Sequence, residues 1–137
     1  MSSAKADDHR PRLMIADDDP VVQTMLDLSL SSEFDVVGVA ADSDEAIELA
    51  RQSQPDAAII DVAMPMGGGL SAVRGIAAVA PDTAIVMLSG DESDSVVREL
   101  MQAGATTYRR KGVPLEVLAE SLTDSIRAHA NRPSGAC

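Results

Sequence analysis

Polar side chains follow several short runs of this sequence that could form strands. They comprise three consecutive carboxylates, a further carboxylate, a hydroxyl and an ammonium group: Asp17, Asp18 and Asp19, then Asp61, Ser89 and Lys111. Clustered carboxylates repel one another, which raises their pKa values unless a cation is bound among them. Ligands that are all oxygen, without His or Cys, suit a hard ion, and Mg²⁺ is the usual one where phosphate shares the site.

A carboxylate at the end of a buried strand is a plausible nucleophile. Asp61 could attack phosphorus and form an aspartyl phosphate. A Mg²⁺ ion would offset the charge on the transferring group, while Lys111 could pair with another of its oxygens. Ser89 could donate a hydrogen bond to a third oxygen. These residue types therefore indicate transfer of a phosphoryl group onto the protein.

Each of these residues, taken singly, has an ordinary structural explanation. Asp19 precedes Pro20 and is expected to be a helix N-cap. The other acids could be loop or turn residues, Ser89 a turn residue before glycine, and Lys111 a solvated surface charge. It is their joint appearance at the ends of different strands that favours a functional site.

The elements that would position these residues alternate regularly along the chain. Apolar strands alternate with helical patterns five times, and we predict the strands at Leu13–Ala16, Val36–Ala40, Ala57–Ile60, Ala84–Leu88 and roughly Thr106–Arg110. Such alternation predicts an α/β fold with a parallel sheet and right-handed crossovers. Ligands of these sheets bind outside the carboxyl ends of the strands, where the polar residues would converge.

Several residues mark the boundaries of the predicted helices. Pro20 is expected at the first position of the first helix, Pro114 in the first turn of the last, and Gly104 at the end of the fourth. The second helix, about Asp44 to Gln52, has the weakest apolar face. Strands two to four carry continuous apolar runs, which predicts that helices cover both of their faces.

Length and composition limit the classes of function. With 137 residues the chain fits one domain,. We expect a flexible tail at 1–11, the folded domain at 12–130, and a second tail or the start of a linker at 131–137. The net charge of −11 argues against binding of nucleic acid or anionic membranes,. The sequence has no apolar run long enough for a membrane span and no secretory signal, so we expect a cytoplasmic protein.

The sequence resembles the receiver domains of two-component response regulators over about residues 12–130. The resemblance rests on four ordered motifs: Leu-Met-Ile-Ala-Asp-Asp-Asp-Pro from Leu13, Ile-Ile-Asp-Val-Ala-Met-Pro from Ile59, Val-Met-Leu-Ser-Gly from Val86, and Gly-Ala-Thr-Thr-Tyr-Arg-Arg-Lys from Gly104. It implies a doubly wound (βα)5 fold of the flavodoxin-like type. The five-stranded parallel sheet would have the order 2-1-3-4-5.

The resemblance also implies roles for individual residues. Asp61 would accept the phosphoryl group from a histidine kinase or a histidine phosphotransfer protein, with Lys111 assisting. Mg²⁺, or Mn²⁺ in its place, would be bound directly by Asp18, largely through water by Asp17, and by Asp61 itself. The backbone carbonyl of Ala63 would be a further ligand.

By the same resemblance, the chain would be a signalling switch. Ser89 would move to bond the phosphoryl group, and Tyr108 would turn inward behind it, although Tyr108 could also be a plain core aromatic. The face built by the fourth helix, fifth strand and fifth helix would then control an output protein or a missing effector domain. A receiver promotes its own phosphorylation and dephosphorylation but is not an enzyme with an external substrate. Whether a phosphorylation-dependent homodimer forms is left open.

Three features depart from the family pattern. Gly112 follows Lys111 where the family commonly has proline, often after a cis bond. A cis bond before glycine would cost about 2.5–4 kcal/mol relative to trans, so the sequence leaves this geometry open. Three glycines at 67–69 make the loop after Asp61 pliable,. Arg109 and Arg110 place positive charge on a predicted edge strand, either as edge protection or as a docking point for an acidic partner.

Three other interpretations compete with a working receiver. Asp17 and Asp19 form the Asp-x-Asp pattern of haloacid-dehalogenase-type phosphatases, but neither a later acidic motif nor a cap domain is evident. A flavin-binding protein would share the strand order, but its first loop should be rich in hydroxyls and glycine rather than acids. A degenerate receiver could act as an interaction module without phosphate, although all five expected side chains are retained.

Overall fold

The computed structural model describes residues 10–90 and 92–132, which form a five-stranded sheet between helices. Strands and helices alternate as β1 (Arg12–Ala16), α1 (Pro20–Leu30), β2 (Asp35–Ala40), α2 (Ser43–Ser53), β3 (Ala57–Asp61), α3 (Gly68–Val79), β4 (Ala84–Ser89), α4 (Asp94–Ala103), β5 (Thr107–Arg110) and α5 (Leu115–Ala130). All neighbouring strands are parallel, in the order β2-β1-β3-β4-β5. The predicted doubly wound flavodoxin-like fold is therefore confirmed.

The predicted boundaries agree with the structure to within about one residue. Asp19 caps α1 through its side chain, which accepts a hydrogen bond from the Val21 amide, and Gly104 ends α4. The prediction for Pro114 was one position off, because α5 begins at Leu115 and Pro114 is its N-cap. The expected limits of the domain at 12–130 stay a prediction, since residues 1–9 and 133–137 lie outside the described part.

Two apolar layers cover the sheet, one on each side. Successive residues of a strand point to opposite faces, so β1 contributes Leu13 and Ile15 to one layer and Met14 and Ala16 to the other,. The first layer packs against α1 and α5. The second packs against α2, α3 and α4.

The prediction that strands two to four are covered on both faces was correct for two of them. Every residue of β3 and β4 is buried. In β2 only Ala40 is buried, and Val39 is 40% exposed. The reason is position, because β2 lies at the edge of the sheet while β3 and β4 lie inside it. Among the described residues, no helix is long and apolar enough to span a membrane.

Candidate functional site

The carboxyl edge of the sheet gathers the residues that the sequence singled out. Asp61 and Ser89 are the last residues of β3 and β4, Asp17 follows β1, and Lys111 follows β5. The Lys111 ammonium Nζ lies 2.9 Å from Asp61 Oδ1. The side chain of Asp61 is 3% exposed and that of Lys111 is 43% exposed, so the pair is buried at its carboxylate end.

Three carboxylates meet at this edge in an arrangement that could hold a cation. Asp17, Asp18 and Asp61 each offer one oxygen, and these oxygens lie within 4.8 Å of one another. Asp17 and Asp61 are buried, whereas Asp18 is exposed.

The surroundings of Asp17 test whether a cation fits. Its Oδ1 accepts a hydrogen bond of 2.9 Å from the Asp19 amide, but its buried Oδ2 has no hydrogen-bond partner. A buried polar atom without a partner is costly, and a cation would supply the missing one. Mg²⁺ and similar hard ions take carboxylate oxygens as ligands, so the residues present fit such an ion.

Burial and neighbouring charges change the protonation behaviour of the site. Burial, together with the negative charges of Asp61 and Asp18, raises the pKa of Asp17, against the lowering effect of the Asp19 amide and of Lys111. Burial by itself lowers the pKa of Lys111. The hydrogen bond and the charge of Asp61, with the charges of Asp17 and Asp18, outweigh that effect and raise it. Lys111 is therefore held in its charged form.

Ser89 ends β4, next to the end of β3 that carries Asp61. The residue is buried, and its Oγ has no hydrogen-bond partner. Its backbone carbonyl accepts a hydrogen bond of 2.8 Å from the Lys111 amide, which joins the ends of β4 and β5. The hydroxyl is thus available to a group that enters the site.

Ala63 lies in the loop between β3 and α3, two residues after Asp61. The residue is exposed, and its amide is 3.3 Å from Asp61 Oδ1. The loop is closed at its base by a hydrogen bond of 2.7 Å from the Gly69 amide to the Val62 carbonyl. A side chain at Gly69 would bring its Cβ to 2.8 Å from Val62 Cα, so this close approach requires glycine,.

Tyr108 lies on the surface rather than in the core. It is 37% exposed on β5, which is an edge strand. The alternative of a plain core aromatic is therefore wrong for this conformation. Its neighbours are bonded within the protein, because Arg109 donates to the Ser121 hydroxyl and Arg110 donates to the Gly90 carbonyl, both at 2.7 Å.

The bond between Lys111 and Gly112 is trans, which answers the question that the sequence left open. Gly112 has a φ of +95°. Proline is locked near −65°, so it could not take this conformation, whereas glycine does so readily.

Two contacts at this edge were not predicted. The Gln23 side chain donates a hydrogen bond to the Asp17 carbonyl, and the Ser43 hydroxyl donates one to the Gly68 carbonyl. Each residue holds a loop of the site from a neighbouring helix. Because the acceptors are backbone carbonyls, no residue type marks them in the sequence.

Comparison with known proteins gives a consistent family signal. The model of the response regulator receiver domain matches residues 13–123. The transcriptional regulatory protein YxjL of Bacillus subtilis is 36% identical over 121 residues, which cover 87% of this chain and 54% of that protein. The response regulator GacA of Pseudomonas aeruginosa is 34% identical over 113 residues, which cover 81% of this chain and 53% of GacA. The chain thus spans about half the length of these relatives.

Solved structures resemble the chain over nearly all of its length. The response regulator domain of CheB from Thermotoga maritima is 28% identical with a TM-score of 0.75. The match covers 90% of this chain and 98% of that domain.

Proposed function

The chain belongs to the response-regulator receiver family, and from this membership we propose that it is a phosphorylation-dependent switch with Asp61 as its phosphoacceptor. The observation that carries the proposal is the convergence on Asp61. Its carboxylate is buried, paired with Lys111 at 2.9 Å, and grouped with Asp17 and Asp18.

In the proposed reaction, an Asp61 carboxylate oxygen attacks the phosphorus of a phosphohistidine. A new oxygen–phosphorus bond forms and the phosphorus–nitrogen bond breaks. The nitrogen keeps the bonding electron pair, takes up a proton from solvent, and the imidazole leaves as the neutral ring. Lys111 is held charged and close to Asp61, so it can pair with a phosphoryl oxygen without rearrangement of the sheet. Ser89 offers its unpartnered hydroxyl to another oxygen.

The cation that this proposal includes is Mg²⁺ or Mn²⁺. Asp18, Asp61 and the backbone carbonyl of Ala63 would bind it directly, and Asp17 would bind it largely through water. When bound, it offsets negative charge on the phosphoryl group and on the clustered carboxylates. The unpartnered Oδ2 of Asp17 supports this assignment.

Switching follows from bonds that exist only with the phosphoryl group present. Phosphorylation adds about −1.5 to −2 charge at one point. Contacts from Ser89 and Lys111 to that group favour one of two packings already in equilibrium. Tyr108, exposed in this conformation, turns inward behind Ser89 in the other, and the face of α4, β5 and α5 changes with it.

The proposed partners lie on both sides of this switch. A histidine kinase or histidine phosphotransfer protein supplies the phosphoryl group, and an output protein or an attached effector domain receives the signal. The receiver occupies residues 12–130 in this proposal and acts in the cytoplasm. It does not turn over an external substrate and does not itself bind nucleic acid.

The test is the intact mass after incubation with acetyl phosphate and Mg²⁺, beside an Asp61→Asn control. A gain of one phosphoryl group by the parent protein alone is expected. If the folded parent gains no mass with acetyl phosphate, phosphoramidate-type or phosphohistidine donors, the proposal fails and a phosphate-independent interaction module is favoured.

A further inference from the structure

A buried serine outside the predicted site joins two loops at the carboxyl edge. Ser43 is the first residue of α2, and it is completely buried. Its hydroxyl donates a hydrogen bond of 2.5 Å to the Gly68 carbonyl, and its backbone amide donates one of 3.3 Å to the Pro65 carbonyl. A single residue therefore contacts the loop between β3 and α3 at Pro65 and the first residue of α3, Gly68, where that loop ends.

The end of this loop and the first residue of α3 have an uncommon backbone. Met66, Gly67 and Gly68 have φ angles of +67°, +100° and +71°, so three successive residues are in the left-handed region. Glycine reaches this region without steric cost but has many other conformations open to it, and a non-glycine residue there is strained by about 1–3 kcal/mol. Such a segment keeps one conformation only where surrounding contacts hold it.

Ala63, the residue proposed to offer its carbonyl to the cation, lies inside the part of the loop that these contacts hold. The loop leaves the sheet at Asp61 and is closed at its base by the Gly69 amide on the Val62 carbonyl. Between these points, Ser43 bonds both Pro65, two residues after Ala63, and Gly68.

We propose that Ser43 is a positioning residue for the cation site. Its hydroxyl holds the end of the pliable loop, where it enters α3 at Gly68, so that the Ala63 carbonyl is already in place when the cation binds. Ser43 does not contact the cation, and the inference rests on the proposed function because that function assigns Ala63 as a ligand.

The chain contains a matched control for this hydroxyl. Thr83 is also buried (3% exposed), and its hydroxyl donates a hydrogen bond of 2.7 Å to a backbone carbonyl, that of Pro55. The two bonds join residues 25 and 28 positions apart, respectively. Thr83 precedes β4 and Pro55 precedes β3, so this bond lies at the opposite edge of the sheet.

The first measurement is titration with Mg²⁺ alone, by calorimetry, of the parent, Ser43→Ala and Thr83→Val. Loss of an outer contact of a metal ligand commonly weakens binding by about 10–100-fold, and here the Ser43 amide contact remains, so a smaller rise in Kd of about 3–10-fold is expected for Ser43→Ala. Thr83→Val should leave the Kd unchanged. Ser43→Cys, which keeps the shape of the side chain with a larger atom and donates only weakly, gives the same comparison if Ser43→Ala fails to fold.

The second measurement is amide hydrogen exchange, which does not depend on the cation. Exchange of the Gly69 amide should be faster in Ser43→Ala than in the parent protein, and unchanged in Thr83→Val. Faster exchange confined to this loop would separate the local role of Ser43 from a general loss of stability.

The outcomes are distinct from those of the phosphorylation test because no phosphoryl donor is present. Weaker Mg²⁺ binding by Ser43→Ala alone supports the inference even if Asp61 gains no mass. An unchanged Kd, an equal loss in both variants, or no Mg²⁺ binding by the parent protein would overturn it.

Discussion

At the amino edge of the sheet, where the strands begin, polar groups are bonded to one another at both buried and exposed positions. The Thr83 hydroxyl bonds the Pro55 carbonyl at 2.7 Å, and the Arg12 amide bonds the Asp56 carboxylate at 2.8 Å. The Gln54 side chain reaches across to the Val79 carbonyl at 3.0 Å. Each contact joins segments that are distant in the sequence.

The carboxyl edge has the opposite character. Among the described residues, three buried side-chain atoms lack a hydrogen-bond partner, and all three lie at this edge: Asp17 Oδ2, Ser89 Oγ and Glu92 Oε1. Each buried group left unpaired costs about 1–3 kcal/mol. The same edge also holds the clustered carboxylates, which repel one another,.

The difference separates stability from function within one sheet. Among the described residues, no buried side-chain polar atom at the amino edge lacks a hydrogen-bond partner, so the bonds there stabilise the fold,. The carboxyl edge keeps acceptors and a donor without partners, which destabilises the free protein but provides for a cation and a phosphoryl group. Substitutions at the two edges should therefore have opposite effects on the free energy of unfolding.

The largest expected effect is that of Asp17→Asn at the carboxyl edge. Removing this charge should weaken Mg²⁺ binding by about 10–100-fold, the scale seen when an outer partner of a metal site is lost. The free energy of unfolding should rise without Mg²⁺, because burial and repulsion destabilise the charged form of Asp17,. Calorimetry and urea denaturation measure the two quantities. If Asp17→Asn is less stable than the parent protein when both are measured without Mg²⁺, the comparison is contradicted.

At the amino edge, Thr83→Val should lower the free energy of unfolding by about 1–2 kcal/mol. The Pro55 carbonyl loses its buried partner, and valine supplies no donor,. Urea denaturation measures the change, and phosphorylation of the folded variant should be unaffected. An unchanged free energy of unfolding would show that the buried bond of Thr83 does not stabilise the fold as the structure indicates.

Ser89→Ala should raise the free energy of unfolding, by at most about 1 kcal/mol. The hydroxyl removed has no partner in this conformation, so its burial gives no compensating bond,. The same urea series detects this gain. A loss of more than about 1 kcal/mol would mean that the hydroxyl is bonded in solution.

The smallest effect is expected for Asp82→Asn, also at the amino edge. The Asp82 carboxylate is 3.2 Å from the Arg132 guanidinium, but 93% of its side chain is exposed. Exposed ion pairs contribute about 0–1 kcal/mol to the free energy of unfolding, so the loss in Asp82→Asn should lie near the lower limit of this range. Thermal unfolding in low and high salt checks this. A large, salt-sensitive loss would assign stability at this edge to surface charge rather than to buried bonds.

Most of the fold could be predicted because its signals are local. Strand residues follow a period of two or form continuous apolar runs, and residues such as Pro20 and Gly104 mark helix ends by their own backbone preferences. Coverage of β2 was overestimated because an apolar run does not show whether its strand lies inside the sheet or at its edge.

The sequence by itself determined which side chains reach the carboxyl edge. In a parallel sheet, a residue that ends a strand must lie there, so the positions of Asp61 and Ser89 follow from the sequence alone. Only the tertiary structure decided how those groups are satisfied: that Asp61 pairs with Lys111, that an oxygen of Asp17 stays free, and that Ser43 holds the loop. These contacts join distant segments, often through backbone carbonyls that every residue has, so they depend on packing rather than on residue type.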